Sequence, residues 1–353
     1  MNTDKDHRRK NPCPSVCIGG FKSNFSLVAL MGCALFLPHG QIPLNASDIK
    51  AQQEWDSTLK AHWPEAFKVI QIQSSVDGTQ QNSVAYQSTL NEPMPLVVSL
   101  HTWSGNFEQK DPLAKRLQAV GFNYIHPDFR GPNNTPDSCA SKLALQDIDD
   151  AIAHCIENWN VDQNRIYVIG ASGGGHATAA AYFNSVHPVS AFFAWVPITD
   201  ISAWYLQSKQ RGQKYYKDIE SVCGGSFNEK IADERSPLMM EIPERSARLH
   251  LYAGINDGYT GSVPITHSIK LYNKLTDPED QISKDRIIEL ATKTVEPTGT
   301  RIANREIWHR SESRRCTLTI FEGGHEMLVD YAAKQILDHA QKDASFKEAT
   351  RSE

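Results

Sequence analysis

The stretch Arg165-Ile166-Tyr167-Val168-Ile169-Gly170-Ala171-Ser172-Gly173-Gly174 decides the fold of this chain. It opens with an apolar run rich in β-branched residues, typical of a buried strand, and the small residues at 176–181 favour a helix. The pattern Gly-x-Ser-x-Gly lies between the two. On such a turn a serine projects its hydroxyl above the end of a sheet, because the glycines leave room for a strained backbone. The spacing therefore predicts that Ser172 is a nucleophile.

The glycines of this turn also fit a phosphate-binding loop. A loop of that kind has the pattern Gly-x-x-x-x-Gly-Lys followed by Ser or Thr, whose lysine reaches the phosphates. The chain contains no such pattern, and no lysine follows these glycines. We therefore favour a serine nucleophile over a phosphate site.

Outward from this turn, apolar strand-like segments alternate with segments of helical spacing. Six strands separated mostly by helices predict a parallel sheet with helices on both faces, and an antiparallel hairpin turned at Asp77-Gly78 precedes them. The predicted fold class is therefore α/β, with a mostly parallel, eight-stranded sheet. The predicted strands are Lys68–Ser75, Asn82–Leu90, Pro95–Leu100, Tyr124–His126, Arg165–Ile169, Val189–Val196, Arg248–Ala253 and Thr317–Phe321. The predicted helices are Asp111–Val120, Leu143–Asn158, Gly174–Ser185, Pro264–Leu275 and one that begins at Met327.

Two long stretches, at about 201–242 and 276–315, interrupt the alternation and are predicted to be loop or cap insertions on one domain. Loops of this length are usually functional or mobile. The first leaves the sheet at the edge where open α/β folds bind their ligands. We expect a single domain at 68–345, preceded by an N-terminal extension at 41–67.

The first forty residues differ from the rest. Basic residues precede an apolar run from Phe25 to Leu37, and Pro38-His39-Gly40 follow it. This order is typical of a secretory signal, and a run of about 13 residues is shorter than the ~20 of a membrane-spanning helix. We expect residues 1–40 to be a signal peptide and the protein to be exported, either periplasmic or secreted. An uncleaved N-terminal membrane anchor and a buried N-terminal helix are the alternatives.

Composition narrows the function classes. Of the 353 residues 40% are hydrophobic and 22% charged, as in ordinary globular proteins, which excludes disorder and coiled coil. The formal net charge of −5 supplies no positive field for a polyanion, so no nucleic-acid partner is expected. Contact with a membrane is expected only through the leader, if the leader is uncleaved. No cofactor is expected.

Four cysteines follow the leader: Cys139, Cys155, Cys223 and Cys316. In an oxidising compartment they permit two disulfides, and buried free thiols are the alternative. No pair has Cys-x-x-Cys spacing and no histidine lies at a zinc-finger offset from them. No metal site is therefore expected.

A serine hydroxyl attacks only when a base removes its proton and a carboxylate orients that base. His325 lies in Glu322-Gly323-Gly324-His325, at the end of the last predicted strand, and is the candidate base. Asp257 follows the preceding strand in Gly254-Ile255-Asn256-Asp257-Gly258 and is the candidate acid. Asp200, at the end of an earlier strand, is the rival carboxylate.

The negative oxygen that develops during acyl transfer needs N–H donors that are fixed before the reaction. One donor is the backbone N–H of Gly173, the residue after the nucleophile. The second is expected from the loop His101-Thr102-Trp103-Ser104-Gly105, at the Trp103 N–H. His101 is then expected to shape this loop rather than to act as the base.

These motifs together resemble the α/β-hydrolase-fold serine hydrolases, and most closely the branch that holds the prolyl oligopeptidase catalytic domain and the acetyl xylan esterases. The resemblance implies Ser172 as nucleophile, Asp257 as acid, His325 as base, and Trp103 with Gly173 as the oxyanion hole. It departs from the family at Thr102, where glycine is usual, and at Gly258 to Ser262, which lengthen the path from the acid to Val263-Pro264. The matching strings are Leu100 to Gly105, Asp128 to Gly131, Val161-Asp162, Asn164 to Ile166, Ser236-Pro237, Gly254 to Asp257 and Gly323 to His325.

We expect an exported carboxylic-ester hydrolase that acts through an acyl-enzyme. The expected partner is a small-molecule or saccharide ester substrate, and the resemblance to the acetyl xylan esterases favours acylated saccharides. A prolyl oligopeptidase-type serine peptidase and an inactive ligand-binding protein on the same fold are the alternatives. Aromatic residues at predicted strand ends, which can stack on a sugar ring or an aromatic acyl group, are expected to wall the pocket. They are Trp103, Trp195, Trp204 and Tyr259.

Two groups of charged residues are expected to be structural. Asp128 and Arg130 are expected to pair with each other and brace the loop at a strand end. Asp147, Asp149 and Asp150 share a predicted helix with Leu145, Ile148 and Ile152, and are expected to form its solvated face.

Overall fold

A computed structural model describes the backbone of residues 63–351 and the side chains through residue 345. The predicted signal peptide at 1–40 and most of the predicted extension at 41–67 lie outside the described residues. Within them, Phe67 is buried, and its ring packs edge-on to Tyr124 with 5.8 Å between the ring centroids.

A ten-stranded sheet forms the centre of the protein, in the order β1-β2-β4-β3-β5-β6-β7-β10-β9-β8. Six neighbouring strands, β4, β3, β5, β6, β7 and β10, run parallel, and antiparallel strands extend the sheet at both edges. The strands are β1 Lys68–Gln73, β2 Gln80–Tyr86, β3 Met94–Leu100, β4 Asn123–Pro127, β5 Val161–Ala171, β6 Ala191–Trp195, β7 Arg248–Gly254, β8 Arg301–Ile302, β9 Arg305–Glu312 and β10 Cys316–Phe321.

The predicted count of eight strands is wrong by two. β8 and β9 belong to the second insertion and form an antiparallel hairpin that pairs with β10 through β9. The sequence pattern hides this hairpin, because only Ile307 and Trp308 interrupt a polar run in β9. Ile307 is nevertheless buried, so the hairpin covers what is otherwise the free edge of β10.

Nine α-helices connect or follow the strands in the described part of the chain. They are α1 Leu113–Ala119, α2 Lys142–Asn158, α3 Gly173–Asn184, α4 Ile201–Gln210, α5 Tyr215–Val222, α6 Glu229–Glu234, α7 Thr266–Leu275, α8 Lys284–Thr292 and α9 Val329–Arg351. None of these described helices has the length and apolar character that crossing a bilayer requires.

Alternation along the central strands builds a core on each face of the sheet. Leu96 and Val98 of β3 contribute to one apolar cluster, and Val97 between them contributes to the other. The same division holds for Ile166 and Tyr167 of β5. Because side chains point to opposite faces at alternate positions, a continuous apolar strand buries both of its faces, as the sequence predicts for a parallel sheet.

The three aspartates of α2 do not form the solvated face that was expected. Asp147 and Asp149 are buried, and Asp149 accepts hydrogen bonds from the Ser185 hydroxyl and the Val186 N–H. Burial raises the pKa of Asp149. The helix therefore uses two carboxylates as internal hydrogen-bond acceptors, which its local sequence does not reveal.

Arg130 braces its loop, but not with the expected partner Asp128. Its guanidinium lies 2.5 Å from the carboxylate of Asp147 and 2.7 Å from that of Asp77. Asp128 instead accepts a hydrogen bond from the Phe107 N–H. The ion pair therefore ties α2 and the β1–β2 turn to the carboxyl end of β4.

The first insertion folds into α4, α5 and α6, which we call the cap. Its aromatic side chains form a third apolar cluster that includes Trp103, Trp204 and Tyr205. Trp204 lies edge-on to Trp103 at 4.7 Å and stacks on Tyr215 at 4.7 Å between ring centroids. The cap is therefore packed directly on the loop that follows β3.

The four cysteines at 139, 155, 223 and 316 are free thiols. All but Cys223 are buried. The alternative of buried free thiols therefore describes these residues better than two disulfides do.

Candidate active site

Ser172 sits at the turn between β5 and α3 with φ of 57° and ψ of −117°, a conformation that side chains rarely adopt. Its N–H donates to the carbonyl of Trp195 at 2.9 Å, which ties the turn to β6. The glycine after it is required by close packing: a Cβ on Gly173 lies only 2.3 Å from the Trp103 nitrogen. The strain at Ser172 is thus fixed by the neighbouring strand and loop.

The structure brings Ser172, His325 and Asp257 together from the ends of three different strands. The Ser172 Oγ lies 2.8 Å from His325 Nε2, and His325 Nδ1 lies 2.6 Å from Asp257 Oδ2. All three side chains are buried. The distances and their order are those of a nucleophile, a general base and an orienting carboxylate.

The Asp257 carboxylate is held at both oxygens. While Oδ2 faces His325, Oδ1 accepts hydrogen bonds from the N–H groups of Gly258 and Val263, at 2.9 and 3.0 Å. These two donors fix the plane of the carboxylate. Asp200, the rival acid, is engaged elsewhere: it caps α4 by accepting from the Ala203 N–H at 2.8 Å.

The backbone nitrogen of Trp103 packs closely against Gly173, the residue that follows Ser172. Within the described part of the chain the Trp103 N–H has no hydrogen-bond acceptor, and a residue that begins a helix, as Gly173 begins α3, has no intrahelical one. Two backbone donors near the turn of Ser172 are therefore left without a backbone acceptor. An oxyanion hole needs donors of this kind.

Gln109, which the sequence patterns do not single out, fixes the loop that carries Trp103. Its side-chain carbonyl accepts from the Thr102 N–H at 2.7 Å, and its amide nitrogen donates to the Thr102 hydroxyl at 2.9 Å. Thr102, the departure from the family pattern, thus gains a second anchor through its side chain. Gln109 therefore holds the backbone and the side chain of the residue directly before Trp103.

His101 also fixes the loop that carries Trp103. Its ring stacks on Phe129 with 3.9 Å between centroids, and its two nitrogens contact the carbonyls of Thr102 and Asp128 at 3.0 and 2.7 Å. Burial lowers the pKa of His101. The side chain is packed within the loop and does not contact Ser172.

A cavity of about 430 Å³ opens above Ser172 and His325. Its wall combines hydroxyl and amide groups with two aromatic rings and one lysine, Lys214, whose ammonium donates to the Ser104 hydroxyl at 2.7 Å. No aspartate or glutamate of the described residues lines it. The lining residues are Thr102, Trp103, Ser104, Ser172, Gln213, Lys214, Tyr215, Thr260, Gly261, Ser262 and His325.

Of the four aromatic residues expected around the pocket, only Trp103 lines it. Trp195 is fully buried in the core, where it stacks on Tyr252 at 4.1 Å. Trp204 is also fully buried and lies behind the wall, and Tyr259 is exposed, with its hydroxyl donating to the Ala291 carbonyl. Tyr215, which the sequence places only within the aromatic insertion, supplies the second ring of the wall.

A second histidine near the site, His176, is buried and contacts the backbone. His176, on the first turn of α3, is fully buried, and burial lowers its pKa to about 4. Its Nδ1 contacts the Ile198 carbonyl at 2.9 Å. Among the side chains of residues 63–345, no group of three or more His, Cys, Asp or Glu has the geometry to hold a metal ion.

Comparison with known proteins identifies the family. The model of the prolyl oligopeptidase family, Peptidase_S9, matches residues 113–295, a range that includes Ser172 and Asp257. His325 lies beyond the matched range. A comparison with curated proteins finds no match.

Solved structures share the fold at low sequence identity. Oligopeptidase B from Leishmania major aligns with a TM-score of 0.54 and 12% identity, covering 79% of this chain and 37% of that one. An acylaminoacyl peptidase in complex with Z-Gly-Gly-Phe-chloromethyl ketone aligns with a TM-score of 0.51 and 17% identity, covering 76% and 40%. A puromycin hydrolase aligns with a TM-score of 0.51 and 15% identity, covering 78% and 39%.

This chain thus spans about two fifths of the length of these neighbours. The likeness establishes an α/β-hydrolase fold for the described residues. Because the family model matches more than half of the 353 residues, the chain belongs to the prolyl oligopeptidase family of serine hydrolases.

Proposed function

We propose that this protein is a serine peptidase that cleaves amide bonds of short peptides through an acyl-enzyme on Ser172. The observation that carries the proposal is the chain of contacts from Ser172 Oγ to His325 Nε2 at 2.8 Å and from His325 Nδ1 to Asp257 Oδ2 at 2.6 Å. Membership of the prolyl oligopeptidase family supports a peptide substrate over the saccharide ester expected from the sequence.

In the first half of the reaction His325 takes the proton of Ser172 while Oγ attacks the scissile carbonyl. The carbonyl oxygen becomes negative and accepts hydrogen bonds from the N–H groups of Trp103 and Gly173. His325 then donates its proton to the leaving amine, which departs as the carbon–nitrogen bond breaks. Asp257 stabilises the imidazolium of His325 throughout, and its carboxylate keeps one imidazole proton on Nδ1 of His325.

The charged groups in the cavity wall limit which peptides can bind. A free terminal amine is positively charged, and burying a charge without a partner is costly. The described wall contains Lys214 and no carboxylate to pair with such an amine. We therefore propose peptides whose amino terminus is blocked or lies away from the scissile bond.

An ester of a saccharide is the second candidate substrate. The observation that favours it is the polar wall, in which Ser104, Gln213 and Lys214 can hydrogen-bond to hydroxyl groups beside the ring of Tyr215. The same catalytic groups serve either substrate, because both reactions pass through an acyl-enzyme. The leaving group, an amine or an alcohol, distinguishes the two.

A panel of four substrates tests the proposal. An N-blocked dipeptide p-nitroanilide, its free-amine counterpart, p-nitrophenyl acetate and an acetylated xylo-oligosaccharide are compared by kcat/KM, each with Ser172→Ala as the background. We expect the blocked p-nitroanilide to be cleaved and to exceed its free-amine counterpart by at least about tenfold. Deacetylation of the oligosaccharide without cleavage of either p-nitroanilide contradicts the peptidase and supports the second candidate.

A further inference from the structure

Five residues, Gly258–Ser262, separate the acid from Val263, and we call them the acid loop. Three of them, Thr260, Gly261 and Ser262, form part of the cavity wall. Ser172 and His325 line the same cavity. The acid loop therefore lies directly beside the reacting groups.

The acid loop is anchored at both ends and from the cap. The N–H groups of Gly258 and Val263 converge on Asp257 Oδ1. From α4, the indole N–H of Trp204 donates to the Ser262 carbonyl at 2.9 Å, and just beyond α4 Arg211 donates to the Gly261 carbonyl at 3.0 Å. These hydrogen bonds fix the position of Ser262 relative to Asp257.

The acid loop also packs tightly on the acid and the base. A Cβ on Gly261 lies 2.2 Å from Asp257 Oδ1 and 2.6 Å from His325 Cβ, so no side chain fits between them. This contact leaves the next residue, Ser262, beside the imidazole. Ser262 is largely buried, yet it lines the cavity.

Ser262 places a second hydroxyl near the nitrogen that serves Ser172. Its Oγ lies 3.4 Å from His325 Nε2, whereas Ser172 Oγ lies 2.8 Å from the same nitrogen. A separation of 3.4 Å is longer than a normal hydrogen bond, so Ser172 holds Nε2 in the free enzyme. The longer separation suits a group that acts on Nε2 through a bridging molecule.

The state of His325 changes once Ser172 carries an acyl group. The Oγ of Ser172 is then an ester oxygen without a proton. The proton that His325 Nε2 accepts in the second half of the reaction therefore comes from water. That water must point one O–H at Nε2 and its oxygen at the acyl carbon. A fixed acceptor for its other O–H orients it in this way.

We propose that Ser262 is a positioning residue that holds the hydrolytic water through its Oγ, an inference that rests on the proposed acyl-enzyme. The water oxygen forms a bond to the acyl carbon while its proton passes to His325 Nε2. The bond from that carbon to Ser172 Oγ then breaks, and the same proton returns from Nε2 to Oγ. The products are the carboxylic acid and the free enzyme, and no other reactant is needed.

This role predicts an effect on one half of the reaction. During acylation the proton comes from Ser172, which contacts Nε2 directly, so the Ser262 hydroxyl is not needed. During deacylation the proton comes from the water that Ser262 orients. A residue that merely supports His325 changes both halves, because His325 acts in both.

The experiment is a quenched single-turnover measurement with p-nitrophenyl acetate, in which mass analysis follows the acetyl group on Ser172. Because p-nitrophenolate is a good leaving group, acylation is expected to be fast and the acetyl group to accumulate on Ser172. Release of p-nitrophenolate then gives the acylation rate constant, and decay of the acetyl group gives the deacylation rate constant. For Ser262→Ala we expect the deacylation rate constant to fall about tenfold and the acylation rate constant to stay within about twofold. Ser262→Thr keeps the hydroxyl and is expected to retain most of the wild-type deacylation rate constant. Ser208→Ala, which removes a buried cap hydroxyl away from the cavity, matches the wild type.

Two results overturn the inference. Equal losses in acylation and deacylation show that Ser262 supports the imidazole itself, and an unchanged deacylation rate constant in Ser262→Ala shows that its hydroxyl holds no water. In both cases the proposed acyl-enzyme stands. Absence of an acetyl group on Ser172 of the wild type during turnover contradicts the proposed function, and the role of Ser262 with it.

Discussion

Replacing Asp257 by Asn tests the role of the acid with almost no change of shape. Oδ2 accepts from His325, and Oδ1 accepts from two backbone N–H groups. An amide offers one oxygen and one NH₂ group, so either orientation turns a donor toward a donor. If the amide oxygen keeps the two backbone bonds, the NH₂ faces Nδ1 and forces the proton onto Nε2, which can then no longer act as the base.

The size of this loss follows from the tautomer. Removing only the correct tautomer in a serine–histidine–aspartate triad costs about 10⁴ in kcat, which corresponds to about 5 kcal/mol of transition-state stabilisation. We expect a loss of this order in kcat for Asp257→Asn with an N-blocked dipeptide p-nitroanilide. The KM is expected to change little, because Asp257 does not line the cavity.

Asp200→Asn is the matched control, since it makes the same chemical change at the other strand-end carboxylate. Asp200 caps α4, and asparagine is an equally good cap, so the variant is expected to keep its stability and most of its activity. The assay measures kcat and KM for both variants beside a thermal unfolding curve. Retention of more than about a tenth of the activity by Asp257→Asn, or an equal loss in Asp200→Asn, refutes the assignment of the acid.

Three further predictions concern packing, stability and pH. Gly261→Ala places a Cβ 2.2 Å from Asp257 and 2.6 Å from His325, and is expected to lower kcat/KM by at least about 10²-fold. Its control is Gly324→Ala, whose Cβ lies 3.5 Å from Thr260, and which is expected to stay near the wild type. Equal kcat/KM values for the two variants contradict the tight packing at Gly261. Arg130→Met leaves Asp147 buried without its partner and is expected to lower the free energy of unfolding in urea by about 3 kcal/mol, while Arg286→Met, which breaks an exposed pair with Glu289, changes it by less than about 0.5 kcal/mol. Burial lowers the pKa of His176 to about 4 in the folded protein, whereas the unfolded chain binds this proton with a pKa of about 6.5. Between pH 7 and pH 5 the unfolded chain therefore gains a proton that the folded protein does not, and the free energy of unfolding falls by about 2 kcal/mol. The unfolding free energy of His176→Gln is expected to fall less over that range, and parallel curves for the two proteins contradict the assigned cause.

Much of the fold follows from local patterns in the sequence. The continuous apolar run of β5 and the small residues of α3 predict the turn at Ser172, because strand, turn and helix depend on neighbouring residues. The proximity of Ser172, Asp257 and His325 follows in turn, since parallel strands bring their carboxyl ends to one edge. The sequence therefore predicts which side chains meet at this edge.

Contacts between distant parts of the chain are not predictable in this way. Asp147 follows helical spacing that suits a solvated face, and only the fold reveals that Arg130 reaches it. Gln109 and Ser262 lie in loops without periodicity, so nothing local marks their contacts with Thr102 and His325. The second insertion pairs with β10 although its own pattern is largely polar.

The peptide or ester nature of the substrate lies one step beyond the fold. The proposed mechanism uses the same three side chains and two N–H donors for either bond, so our choice of a peptide substrate rests on the wall of the cavity and on the family. Lys214 and Tyr215 come to this wall from the cap, whose sequence predicts aromatic helices without predicting which side chains face the site.

Labelling with a fluorophosphonate, which reacts with activated serine hydroxyls, tests the central claim most directly. We expect one label per molecule, located by peptide mapping on Ser172, with labelling abolished in Ser172→Ala and slowed by several orders of magnitude in His325→Ala. Ser262→Ala is expected to take up the label on Ser172 at close to the wild-type rate, because this step resembles acylation. A label on Ser262 or on any other serine, or unchanged labelling of Ser172→Ala, contradicts the account.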